Sequence, residues 1–199
     1  MAKSLTRALI GAWLLVLAPL AGADQAPATP ASTAAPAEHE TYRDDEIVKS
    51  ASDFFSNGAH ELSDVLAKVL KEKGRPIAII RGEEVSGAVA AGLRYGHGEL
   101  VYRDGTRTTV YWQGPSVGFD IGANAVKVYM LVYKLPNTDA IFQRFPGVEG
   151  SLYFVGGFGV HYLQSNGIGI APVRFGVGWR QGVDVGYLNF SREKRINPF

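Results

Sequence analysis

No cysteine occurs among the 199 residues, which rules out disulfides, a thiolate nucleophile and any cysteine-held metal. Charge of one sign is lacking as well: 20 Lys and Arg against 19 Asp and Glu leave a formal net charge of +1, without the basic field of a dedicated nucleic-acid binder. Nor is there an apolar run of the roughly 20 residues that a spanning helix needs. The run from Ala8 to Leu20 falls short of that and is interrupted by Pro19. His39, His60, His97 and His161 stand apart, without the close His or Cys spacing of a zinc site. No metal or other cofactor is expected.

What is present divides the chain into three. Lys3 and Arg7 precede the apolar run, and Ala21-Gly22-Ala23 stands just before Asp24, the layout of a cleaved secretory signal over residues 1–23. Its removal would take both cations with it and turn the net charge from +1 to −1. Residues 24–44 begin as DQAPATPASTAAPAEHE, an Ala, Pro and Thr tract with no periodic apolar face, which reads as a disordered tether. Residues 45–199 are then one domain, large enough to bury about 70% of its unfolded surface without staples.

The domain opens with two helical patterns. Asp44 and Asp45 suit the cap of a helix over about Glu46 to Ser56, ended by Asn57-Gly58. A second, about Ala59 to Lys73, sets Leu62, Val65, Leu66, Val69 and Leu70 on one face, with Gly74 and Pro76 beyond it. From there the period is two, and Gly-containing turns recur to the C-terminus. Asp104-Gly105 and Asn166-Gly167 suit two-residue hairpin turns. Ala125 to Leu135, apolar on both faces apart from Lys127 and Lys134, reads as a central strand buried on two sides. The expected class is mainly β (α+β): two N-terminal helices, then a small antiparallel β-barrel of about eight to ten strands. Glycines within FVGGFGV, Phe154 to Val160, and VRFGVGWR, Val173 to Arg180, would mark close backbone approach or coiling. In the latter, Arg174, Gly176, Gly178 and Arg180 share one face.

Several motifs invite chemistry. Gly114-Pro115-Ser116-Val117-Gly118 fits G-x-S-x-G, with Asp120 and His161 following in hydrolase order. An elbow needs a strand, a strained turn and a helix, whereas VGFDIGANAVKVYM reads as turn and strand, so Pro115 and the glycines are expected to shape a bend between strands. Gly176, Gly178 and Gly182 miss the dinucleotide spacing and no helix follows. His97 lies two residues from Glu99, and Glu83 and Glu84 are adjacent; adjacent residues diverge on a strand, so the latter are no acid/base pair. Arg174 and Arg180, with Arg192, Lys194 and Arg195 near the end, offer a cradle for an anionic head group or sugar acid. The expected ligand site is Arg174, Gly176, Gly178 and Arg180. The terminal Phe199 suggests an outer-membrane barrel, but stepping back by twos meets Asn197, Arg195 and Glu193 rather than an apolar face.

VYWQGPSVGFDIGANAVKVYMLVYKL, FQRFPGVEGSLYFVGGFGVHYL, IAPVRFGVGWRQGVDVGYLNF and the closing NPF together resemble the envelope integrity protein A family of Gram-negative bacteria, over about Asp45 to Phe199. The resemblance implies a periplasmic protein with a small antiparallel barrel and helices, a part in keeping the envelope intact, and no assigned enzymatic activity or catalytic residues. The expected partner is an envelope component, lipid or polysaccharide, or a periplasmic protein, with peripheral membrane contact and no nucleic acid. A hydrolase or transferase using Ser116 or His97 is the alternative.

Overall fold

The computed structural model describes residues 39–56, 60–89, 91–117, 125–148, 153–175 and 186–195. Its two helices lie where the apolar spacing predicts: α1, Asp44–Phe55, and α2, His60–Lys73. The cap of α1 differs from expectation. Arg43 is the N-cap, and Glu46 reaches back to accept its backbone N–H at 2.8 Å, while Asp44 and Asp45 sit in the first turn, where their charge suits the helix dipole. Gly74, at φ +80°, closes α2 by donating to Leu70 O at 2.8 Å. At the end of α1, Ser56 takes the left-handed conformation; Asn57-Gly58 lies outside the described residues.

Among the described residues ten strands follow: β1 Ala78–Val89, β2 Ala91–Tyr102, β3 Arg107–Val117, β4 Val126–Tyr133, β5 Arg144–Pro146, β6 Tyr153–Val155, β7 Phe158–Val160, β8 Leu163–Ser165, β9 Ile168–Phe175 and β10 Tyr187–Ser191. They make one antiparallel sheet in the order β5-β10-β3-β2-β1-β4-β9-β7-β6, with β8 also on β9. The sheet curls until its β5 end meets β8: Gly147, just after β5, bridges Leu163 of β8, and Val148 N–H donates to Tyr162 O at 2.9 Å. Strands β7 and β8 face β9 in a single register, Val160 against Val173 and Leu163 against Ile170. They are separate because the residue opposite His161 is Pro172, which has no N–H to give the ladder.

Alternation along β1, β4 and β9 creates two cores. Ile79, Tyr129, Leu131, Tyr133, Ala171 and Val173 face outward and are buried beneath Ile47, Ala51, Leu62, Val65 and Leu66 of the helices. Ile80, Val128, Met130, Val132 and Ile170 face inward, where Trp112, Phe145 and Phe190 complete the barrel core. Strand β4 is central, as its two apolar faces imply, pairing with β1 and β9.

The turns match the sequence unequally. Asn166-Gly167, at φ +49° and +79°, forms the two-residue turn between β8 and β9. Between β2 and β3 the loop has three residues, not two, because Tyr102 N–H bonds to Thr106 O at 2.9 Å and only Gly105 has positive φ. Gly156-Gly157 is the turn of a short β6–β7 hairpin and not a kink within one strand. The packed chain also begins earlier than the tether boundary at residue 44. His39 stacks on Tyr102 at 3.8 Å, and buried Tyr42 donates its hydroxyl to Val101 O at 3.2 Å.

Candidate functional site

Within the described residues, the chemically richest cluster lies inside the barrel. Strand β1 alternates Ala78, Ile80, Gly82 and Glu84 on its inner face, so period two carries a carboxylate inside. Arg174, on the same parity as Ile170 of β9, meets it: Nε donates to Glu84 Oε1 and Nη2 to Oε2, both at 3.1 Å. Arg94 of β2 stands 3.7 Å from Oε1 through Nη1 and donates from Nε to Pro115 O at 3.0 Å. Trp112 of β3 reaches across β2 and donates its indole N–H to Glu84 Oε2 at 2.9 Å.

The indole can cross because Gly96 has no side chain. A Cβ there would lie 2.1 Å from the ring, so glycine at this point is the condition for the Trp112 to Glu84 bond. One row away, Gly82 and Gly98 face each other so closely that a Cβ on either would fall within 2.8 Å of the other's Cα. This pair marks the sharp coiling expected of a small barrel.

The electrostatics favour an ionised carboxylate. Burial opposes the charge on Glu84, but Arg174 and Arg94, with the hydrogen bonds from Arg174 and Trp112, outweigh it and hold the carboxyl below the ordinary glutamate range. Beside the cluster, bordered by Arg94, His161 and Arg174, is a cavity of only about 10 Å³, room for one water at most.

The structure separates the described members of the basic group, Arg174, Arg192, Lys194 and Arg195. Arg174 faces inward as its parity requires, and its guanidinium is engaged by Glu84 with 2% of the side chain exposed. Gly176, Gly178 and Arg180 lie outside the described residues. Arg192 pairs with Asp139 at 2.6 Å on the surface, while Lys194 and Arg195 border an outer groove.

Ser116 lies near the end of the β2–β3 ladder, opposite Gly92, and the next described element is β4. The GPSV segment is therefore strand, not the bend expected from Pro115; the proline is tolerated because β10 pairs only with Tyr111, Trp112 and Gln113. Asp120 lies outside the described residues. His161 is buried, and His97 is exposed on the outer wall beside Tyr111. Among the described residues no three His, Asp or Glu gather as metal ligands.

A curled antiparallel sheet with helices against one wall and an ion-paired interior defines a small β-barrel protein. The chain belongs to the Envelope integrity protein A family, whose family model matches residues 40–199. A solved structure, a beta-barrel-like, uncharacterized protein from Brucella abortus, is 38% identical, covering 80% of this chain and 99% of that one at a TM-score of 0.73. No curated protein matches.

Proposed function

We propose that the protein is an exported, non-enzymatic factor that supports envelope integrity by binding an envelope component or a partner protein in the periplasm. The family match carries the envelope role. Binding rather than catalysis is supported by Ser116, which is held in an antiparallel ladder opposite Gly92 and not on the strained strand-to-helix turn that exposes a nucleophile. The interior supports it too, since the carboxylate there is already engaged by Arg174 and Trp112.

The experiment is complementation of a strain lacking the protein, under envelope stress, by Ser116→Ala. Full rescue is expected, together with no difference between the two proteins in labelling by a serine-reactive fluorophosphonate. A folded Ser116→Ala protein that fails to rescue, or wild-type labelling that the substitution removes, would establish the enzyme alternative. In the same cells the exported protein is expected to show an intact mass beginning at Asp24; retention of residues 1–23 would refute cleavage.

A further inference from the structure

On the outer wall, away from Ile79 and Val101, which lie beneath the helices, odd-numbered residues of β1, β2 and β3 border a groove. The registers set Glu83, His97 and Tyr111 side by side in one row and Val85, Tyr95 and Gln113 in the next. A groove of about 390 Å³ follows these rows, and Lys194 and Arg195 border it. His97 and Tyr111 present nearly parallel rings, 26° apart with centroids at 6.5 Å. Val85 is 44% exposed. Neither Lys194 nor Arg195 is ion-paired with a described residue, although Arg192, two positions earlier, has Asp139.

We infer that this groove binds an acidic saccharide, a reading that rests on the proposed binding role and names its site. The floor is aromatic with polar edges: tyrosine and imidazole rings offer flat apolar faces to the C–H face of a sugar ring, while their polar atoms and Glu83 can meet its hydroxyls. A few convergent polar groups on a concave aromatic surface are the usual composition of a small-molecule site. Lys194 and Arg195, which pair with no described residue, select for an anionic substituent, Arg195 being able to grip a carboxylate with two hydrogen bonds. An acyl chain fits worse, because Val85 is the only large aliphatic side chain bordering the groove among the described residues.

The test uses protein purified from cells and three probes: oligogalacturonate, a neutral galacto-oligosaccharide, and vesicles containing phosphatidylglycerol. Calorimetry is expected to show oligogalacturonate binding that weakens with salt, with the neutral sugar weaker. Tyr111→Ala should lower affinity about tenfold, the loss typical of an aromatic anchor. Because Tyr111 is half-buried, Lys194→Glu combined with Arg195→Glu, both exposed, provides a second variant; it should erase the acidic preference without shifting the melting temperature. Failure of both saccharides to bind, binding untouched by both variants, or vesicle binding that the charge reversal alone removes would overturn the inference. None of those results bears on Ser116→Ala rescue, whereas loss of that rescue would end the binding role and leave the groove affinity as measured.

Discussion

Replacing Glu84 with Ala is expected to destabilise the protein by about 3–5 kcal/mol, the cost of leaving buried charge without its partner. Both guanidiniums that face it are buried. For a domain of this size the loss corresponds to a fall of roughly 10 °C in melting temperature. Arg174→Met should cost a similar amount, and the double variant less than the two losses added, because removing both members leaves one fewer unpaired charge. The pair also sets a pH dependence. The folded carboxyl titrates below its unfolded value, so its contribution is fully present above the unfolded pKa of about 4.3 and is lost as pH falls through the folded value. Acid unfolding followed from pH 6 to 2 should show that limb in the wild type and a flatter one in Glu84→Gln. Equal stability of wild type and Glu84→Ala at neutral pH would mean that the interior ion pair does not hold the barrel.

The second large effect is expected at Gly96. One methyl group there would stand 2.1 Å from Trp112 Cε2 and 2.3 Å from its Nε1, so the indole must leave and its bond to Glu84 breaks. Overpacking of this kind typically costs about 1–3 kcal/mol, and the lost hydrogen bond to a charged group adds about 1.5–3. Gly96→Ala should therefore melt several degrees lower than wild type. On a Trp112→Leu background, where nothing occupies that space, the same substitution should be close to neutral. If Gly96→Ala were equally costly on both backgrounds, the glycine would serve the backbone and not the indole.

These two sites also show where the sequence was legible and where it was not. Both helices and the central strand are local patterns, and Leu62, Val65, Leu66 and Val69 or Val128 to Val132 announce themselves by spacing alone. Asn166-Gly167 is equally local. The Glu84 to Arg174 pair spans 90 positions and depends on two successive registers, β1 on β4 and β4 on β9. Glu83 and Glu84 diverge on a strand, as their adjacency implies, and following the parity from Ile80 places Glu84 inside and Glu83 outside. That parity is the available signal: a charge in phase with an apolar face, repeated at Arg94 and Arg174, implies an internal ion pair. Likewise, nothing local to Gly96 in YGHGEL points to Trp112, and only the pairing with β3 shows that this glycine makes room for the indole. The three-residue loop at Asp104-Gly105 was missed because Thr106 pairs with Tyr102 and not with Arg103, which moves Arg103 into the loop.

The central claim is that Glu84, Arg174, Arg94 and Trp112 form an ion-paired core inside the barrel. Hydrogen exchange of the Trp112 indole N–H tests it most directly, because this proton lies inside the barrel on Glu84. Exchange is expected only through global unfolding, with the same free energy of opening as the slowest backbone amides of β1 and β4. Exchange of this indole orders of magnitude faster than those amides, in protein that remains fully folded, would show that water enters the interior and would contradict the account.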